Sequence, residues 1–395
     1  MSAKIIHAVT ISQSLNLMRG QLKFLSEQGF EVKAICSDGD NIQDFERSEG
    51  VDVLKSDMER EISLTKDLVS LYNNIKIIRK ERPDIISAGT PKAGLLVTLA
   101  AYLCGVPIRV YTIRGLRLET TKGMKKELLL MMEKIASASA THVLAVSPSL
   151  RDRVVELGIV KSEKVNVLGK GSSNGFSLER FDETEELREK VKEIRVKYGF
   201  SKDNVVLGFV GRMTKDKGIE EMVDVFLRLQ AKHSHIRLLI IGDYEEADFV
   251  KESTRKEITE NPAIVHVGYQ KDCLLYYRLM DIFVFLTKRE GFGNVSIEAA
   301  LTGLPVVAAN VTGAKDTIKD EETGFLVDIN DLPGIVAKLE LLIDYPYVRN
   351  LMGESGKKWA EENFSSTLIW NEMSSYYQKW LNEKASVLTE VRFPK

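Results

Sequence analysis

The chain reads as an α/β protein made of two Rossmann-like, doubly wound domains in series. Three observations carry this. Short β-branched runs alternate with longer amphipathic stretches, the pattern of parallel strands joined through helices. The alternation runs once, passes through a polar, charged segment at 171–203, and starts again. The chain has 395 residues, 44% of them hydrophobic, enough for two cores at a prior of ~150 residues per domain.

In the first half the expected strands are Lys4–Val9, Glu31–Cys36, Asp84–Ser87, Ile108–Thr112, His142–Val146 and Val165–Leu168. Helices fall between them at Leu17–Gln28, Leu64–Arg82 and Pro91–Cys104, and Gly29 and Gly105 stop the first and third. The boundary is placed near Gly171, which gives a first domain of 1–170 and a second of 171–369. Glu185–Tyr198 reads as a helix with Thr184 as N-cap. The second half restarts with strands Val205–Val210, Arg237–Ile241, Ile264–Val267, Ile282–Leu286, Val306–Ala308 and Gly324–Val327, with a helix at Ile219–His233. The tail from Ser365 sets Trp370, Tyr376, Tyr377 and Trp380 at helical spacing. A doubly wound sheet binds ligands at the carboxyl ends of its strands, where the strand order reverses. If two such domains face each other, both crevices open into one cleft, which suits the joining of two substrates.

Composition removes several classes. A net charge of −2 argues against a general nucleic-acid footprint. Cys36, Cys104 and Cys273 are far apart with no CxxC or Cys/His spacing, so neither a disulfide framework nor a zinc site is expected, and the thiols read as buried and free. No stretch approaches the ~20 apolar residues of a membrane span, and the N-terminal apolar run is too short for a signal peptide. The expected location is cytoplasmic. Asp38-Gly39-Asp40 follows the second strand and reads as a turn rather than a metal site.

Two segments carry chemistry. Gly211-Arg212-Met213-Thr214-Lys215-Asp216-Lys217-Gly218 lies between a buried strand and a helix. Arg212 offers a planar fork for phosphate oxygens and Lys217 a compact point charge. Taken alone, the segment also fits a solvated loop. The second segment runs Thr287-Lys288-Arg289-Glu290-Gly291-Phe292-Gly293-Asn294-Val295-Ser296-Ile297-Glu298. Gly291 and Gly293 permit close ligand approach, and a helix starting near Asn294 presents free N–H groups suited to a diphosphate. Glu298, about one turn in, is placed to accept from ribose hydroxyls, and Glu290 to hold sugar hydroxyls. An acidic pair beside a diphosphate is otherwise unfavourable.

These residues resemble the family-4 glycosyltransferases. Glu290, seven residues, then Glu298 is similar to that family's E-x7-E signature, and GRMTKDKG to its GR…KG element. Pro91-Lys92-Ala93-Gly94, Gly169–Gly175, Val267-Gly268-Tyr269 and Gly324-Phe325-Leu326-Val327 extend the likeness over nearly the whole chain. It is nearest to bacterial enzymes that extend lipid-linked precursors of surface polysaccharides. The resemblance implies a GT-B fold, retention of anomeric configuration, no essential metal, and a nucleotide-sugar donor, UDP by default, on the C-terminal domain. By position it implies that Arg212 and Lys217 neutralise the diphosphate, Glu298 binds ribose and Glu290 the sugar. Gly211, Gly293, Asn294, Val295 and Ser296 would line the phosphates, with Gly268 and Tyr269 near the base. It implies a C-terminal helix, about 370–395, that crosses back to the first domain. It names no protein general base.

The departures lie in the first domain. The loop after the first strand has only Gly20, which the resemblance sets among the donor-binding residues as a phosphate contact, beside Arg19, where many relatives carry paired glycines. Arg114-Gly115 stands where many have His-Gly. Residues 116–134 set Arg117, Lys122, Lys125, Lys126 and Lys134 beside an apolar run, which fits an anionic membrane face as well as a core-facing helix with a solvated edge. Up to residue 170 there are about 25 basic against about 20 acidic residues, so the first half is basic. The expected acceptor is a polyprenyl-diphosphate-linked sugar near Lys92, Arg114 and Arg117, with peripheral contact on the cytoplasmic face of the inner membrane. The competing functions are a glycosyltransferase with a soluble acceptor, a nucleotide-sugar epimerase and a non-catalytic nucleotide-sugar sensor. An NAD-dependent oxidoreductase lacks its GxGxxG.

Overall fold

The computed structural model describes every residue except Met1, Arg60, Ile62, 246–248 and 393–395, and only the backbone of 387–392. The chain forms two compact units, Met1–Phe176 with Ser366–Lys395, and Ser177–Ser365.

The first unit holds a seven-stranded, all-parallel sheet of β1 (Lys4–Ala8), β2 (Glu31–Cys36), β3 (Asp52–Lys55), β4 (Ile85–Ala88), β5 (Ile108–Ile113), β6 (His142–Ala145) and β7 (Val165–Asn166). Their order is β3-β2-β1-β4-β5-β6-β7, so the winding reverses between β1 and β4. β1 is covered on both faces. Ile6 and Ala8 face a core with Ala93, Val97 and Ala100 of helix Pro91–Leu103, while Ile5 and Val9 face Leu22 and Leu25 of helix Gln21–Glu27. Parallel strands buried on both faces read as continuous apolar runs, which is why they were legible. β3 was not. It is a four-residue edge strand whose ends are charged, with Lys33 opposite Asp52 in register. The expected helix from Leu17 is a 3-10 turn, Ser12–Met18, followed by an α-helix only from Gln21, because Gly20 at φ +80 breaks the run.

The second unit holds six parallel strands: β8 (Val205–Val210), β9 (Ile236–Ile241), β10 (Ile264–His266), β11 (Ile282–Phe285), β12 (Val306–Ala309) and β13 (Gly324–Val327). The order β10-β9-β8-β11-β12-β13 reverses between β8 and β11. Helix Glu185–Lys197 is capped by Thr184, whose side chain accepts from the Leu187 N–H at 3.2 Å.

The chain leaves the first unit past Gly171 rather than at it, because residues 171–176 are tied to that unit. Ser172 N–H donates to Val146 O at 2.8 Å, and Asn174 Nδ2 to Arg19 O at 2.9 Å. The last helix, Ser366–Arg392, begins earlier than the aromatic spacing suggested and supplies Ile369, Met373, Tyr377 and Trp380 to the first unit's core. Trp370 Nε1 donates to Asn174 Oδ1 at 2.9 Å, and Trp380 stacks on His142 with ring centroids 3.9 Å apart. Among the described residues no helix is long and apolar enough to cross a membrane.

Candidate functional site

The second sheet's reversal point lies between β8 and β11, and the two segments singled out in the sequence are the loops that leave those strands. They touch. Gly218 sits at φ +73, and a Cβ there would lie 1.8 Å from the Leu286 carbonyl oxygen, so only glycine allows this approach. Asp216 rivets the loops together. Its carbonyl accepts from the Lys288 N–H at 2.8 Å and the Thr287 hydroxyl at 3.1 Å. Its carboxylate accepts from the Thr214 hydroxyl at 2.6 Å and pairs with Arg289 at 2.7 Å. Burial pushes this carboxyl up, but Thr214 and the charges of Arg289, Lys217 and Arg212 outweigh it and hold it below its ordinary value.

Lys217 Nζ lies 2.5 Å from Glu290 Oε2, with the side chains 18% and 22% exposed, and Glu290 Oε1 accepts from the Gly291 N–H at 3.1 Å. The cation is thus fixed at the mouth of the loops by the carboxylate beside it. Arg212 is held differently. Its Nη1 pairs with Glu245 Oε2 at 2.6 Å, but both side chains are nearly half exposed. Such a pair contributes about 1 kcal/mol or less, so it holds Arg212 only weakly. Gly211 N–H donates to Ile241 O at 2.9 Å, which anchors the start of that loop.

Helix Asn294–Leu301 starts from Gly293 at φ +93, where a Cβ would meet Phe285 Cε1 at 2.8 Å. Ser296 N–H folds back to Gly293 O at 2.9 Å, and its buried hydroxyl accepts from Thr317 Oγ1 at 3.0 Å. Among the described residues the backbone N–H groups of Asn294 and Val295 have no acceptor, at a helix start whose dipole favours an anion. Glu298 lies one turn in. Burial raises its carboxyl above the ordinary value, against the Tyr277 hydroxyl, which donates to Oε2 at 3.0 Å, and the charge of Arg180. After β10, Gly268 adopts a left-handed conformation at φ +72, and the exposed Tyr269 donates its N–H to Asp243 Oδ1 at 3.1 Å. The structure thus brings Gly211, Arg212, Lys217, Gly268, Tyr269, Glu290, Gly293, Asn294, Val295, Ser296 and Glu298 to the carboxyl end of one sheet.

Three supporting residues were missed. Asp216 and Arg289 are opposite charges on the two loops, and pairing across a reversal point was the available signal. Tyr277 had none, since it lies far along the chain from Glu298.

The first unit's candidates are more scattered. Arg114, just past β5, donates from Nε to Gly89 O at 2.6 Å, and its Nη1 is enclosed without a partner among the described residues. It borders a narrow pocket with His7, Gln21, Ser87, Thr112 and Ser172. Burial lowers Arg114 to about 10; burial, then the guanidinium, push His7 down to about 3. Lys92 is buried and already paired, with Asp67 Oδ1 at 2.6 Å and the Glu61 carbonyl. Gly20 N–H donates to Glu49 Oε1 at 2.7 Å and Trp370 fills the space a Cβ would need, so a phosphate contact through this amide requires breaking that bond. Arg19 is exposed and lies 3.4 Å from Asp44; Arg117 is exposed at the head of a 3-10 turn. Asp38 pairs with Lys55 at 2.8 Å. Among the described residues no three His, Cys, Asp or Glu side chains are grouped to hold a metal.

Residues 190–359 match the family described as Glycosyl transferases group 1, and residues 17–171 the one described as Glycosyl transferase 4-like domain. The capsular polysaccharide biosynthesis glycosyltransferase CapM of Staphylococcus aureus is 43% identical, covering 96% of this chain and 98% of its own. The UDP-Gal:alpha-D-GlcNAc-diphosphoundecaprenol alpha-1,3-galactosyltransferase of Escherichia coli is 25% identical over 87% of this chain and 88% of its own. Among solved structures, Anabaena HepE in complex with UDP and glucose has a TM-score of 0.77 at 17% identity, covering 95% of this chain and 99% of that one. At that identity the likeness is one of fold.

Proposed function

The chain belongs to the family-4 glycosyltransferases, with their GT-B fold, and we propose that this enzyme moves a sugar from a UDP-sugar to a hydroxyl of a polyprenyl-diphosphate-linked sugar, with retention of configuration, in the assembly of a surface polysaccharide such as a capsule. The second unit takes the donor. The carrying observation is the meeting of Lys217, Glu290 and the open helix start at Asn294 on one sheet end.

In this reading the bond between the sugar's anomeric carbon and the diphosphate oxygen breaks as the acceptor hydroxyl attacks the same carbon from the same face. The leaving diphosphate gains negative charge. Lys217, Arg212 and the N–H groups of Asn294 and Val295 stabilise it, and one such preorganised donor is worth about 3 kcal/mol in the transition state. Glu290 holds a sugar hydroxyl and sets the sugar's orientation, while Glu298 accepts from the ribose. Gly268 and Tyr269 stand beside the base. A diphosphate oxygen takes the acceptor's proton, so no protein base and no metal are required.

The first unit takes the acceptor, with Arg114, Lys92, Arg117 and Arg19 as the groups near its phosphates, and touches the membrane peripherally. The basic first half and the diphosphoundecaprenol substrate in the E. coli relative's name support this part.

The test is a thermal shift with UDP, GDP, ADP and NAD on the wild type and Arg212→Ala, followed by transfer assays on lipid-linked and soluble acceptors. A ligand at 100 times its Kd stabilises by about 2.7 kcal/mol. Stabilisation by UDP alone, lost in the variant, is the expected result. Stabilisation by another nucleotide alone overturns the donor, and equal rates on both acceptors overturn the lipid link.

A further inference from the structure

The cations on the two donor loops of the second unit are matched by carboxylates. Among the described residues Arg289 pairs with Asp216, Lys217 with Glu290 and Arg212 with Glu245. Asp216 ties the loops together, and Glu290 has a sugar hydroxyl to hold in the proposed transfer. Glu245 has neither task. Its Oε2 nevertheless lies 2.6 Å from Arg212 Nη1, on one prong of the fork that would take phosphate oxygens.

The main chain sets up this meeting. β8 and β9 stay in register to Val210 and Ile241, and the loops beyond them remain joined. Gly211 N–H donates to Ile241 O and Met213 N–H to Asp243 O, both at 2.9 Å. Gly242 lets the loops close, since a Cβ there would lie 1.9 Å from the Gly211 carbonyl oxygen. Met213 then bridges to Tyr244 as if the strands continued. Tyr244 is clamped in turn, with the Arg255 guanidinium 4.4 Å from its ring centroid and His266 edge-on at 5.8 Å. Arg212 and Glu245 therefore face each other from two tied backbones, whereas an ordinary surface pair depends on two long side chains alone.

A diphosphate and the Glu245 carboxylate cannot share this fork, because both are anions and repel at hydrogen-bond range. The pair is nearly half in solvent, so it is weak enough for a diphosphate to displace. Displacing it still subtracts from the affinity that the diphosphate attains.

We propose that Glu245 is a built-in competitor for the phosphate site. It holds Arg212 until a diphosphate displaces it, and it retakes Arg212 as the nucleoside diphosphate product leaves. The inference rests on the donor site proposed above. It adds a residue whose removal tightens binding, the opposite of what losing a ligand contact does.

The experiment measures the affinity for UDP and for uridine by calorimetry, and the dissociation of UDP by stopped flow. The full-length wild type, Glu245→Gln and Glu257→Gln are compared. Glu257, exposed on helix Glu252–Glu260, gives the same change of net charge and forms no pair with Arg212 among the described residues. Glu245→Gln should bind UDP at least about threefold more tightly and release it correspondingly more slowly. The gain should shrink at high salt, and uridine, which has no phosphate, should bind as it does to the wild type. Unchanged or weaker UDP binding by Glu245→Gln overturns the proposal. So does an equal gain in Glu257→Gln, which would make net charge the cause, or an equal gain for uridine. If Glu245→Gln does not fold, Glu245→Ala takes its place under the same outcomes. If the wild type binds another nucleoside diphosphate in place of UDP, that nucleotide and its nucleoside replace UDP and uridine, and only the choice of base has failed. A wild type that binds none fails the donor reading and the competitor with it, whereas a wild type that binds UDP beside an unimproved Glu245→Gln fails the competitor alone.

Discussion

The Tyr277 hydroxyl donates to Glu298 Oε2 at 3.0 Å, joining a fully buried phenol to a carboxylate that burial has raised. Tyr277→Phe removes one hydrogen bond and little volume. If the hydroxyl helps keep Glu298 ionised for the ribose, the variant should bind UDP about tenfold more weakly, the worth of one net hydrogen bond. The acid limb of UDP binding should also move to higher pH, because the hydroxyl lowers the carboxyl and its loss leaves only the Arg180 charge against burial. Kd measured against pH checks both, and an unmoved limb contradicts the role.

Lys217→Ala should lower kcat about 100-fold or more with a smaller change in KM. In the proposed transfer the lost charge would face an oxygen that becomes more negative only as the bond breaks. Single-turnover transfer at saturating donor reads this directly. A change confined to KM would mean that Lys217 only binds the ground state.

Gly218→Ala should destabilise the chain by more than about 3 kcal/mol, combining a strained backbone with a clash against the Leu286 carbonyl. Gly29→Ala is the matched control: φ is +90 there but nothing lies within 4 Å, so only the backbone cost of about 1 kcal/mol applies. Urea unfolding of both variants separates the two contributions.

Glu133, on helix Gly123–Ser139, accepts from the Tyr111 hydroxyl at 2.8 Å and is pushed up to about 7, burial outweighing that bond. A carboxyl raised on folding contributes stability that is present below its unfolded value and lost as pH rises through the folded one. The contribution is about 1 to 3 kcal/mol. Melting temperatures of Glu133→Gln relative to wild type should therefore rise between pH 5 and pH 8. A constant difference would show that Glu133 does not titrate in that range.

The parallel strands were legible because burial on both faces makes them uninterrupted apolar runs, as in Val205–Val210 and Gly324–Val327. β3 escaped because an edge strand needs few apolar residues. Of the site, the residues on two short contiguous segments were readable, since glycines, cations and a helix start at a strand end have a local cause. The Asp216–Arg289 rivet and the Tyr277–Glu298 bond were harder to read, the first because it joins two loops across the reversal of the sheet, the second because it joins the helices before and after β11. In the first unit the pairing of Lys92 with Asp67, a partner on another helix, was likewise not readable.

The order in which the chain is made meets a difficulty in the first unit. Its core includes Ile369, Met373, Tyr377 and Trp380, yet residues 177–365 build the other unit and are synthesised in between. On a ribosome the first unit therefore cannot complete its core until residues 177–365 have been made. The inserted unit can close while the older residues still wait, and His142 gains its aromatic cover only once Trp380 has been made.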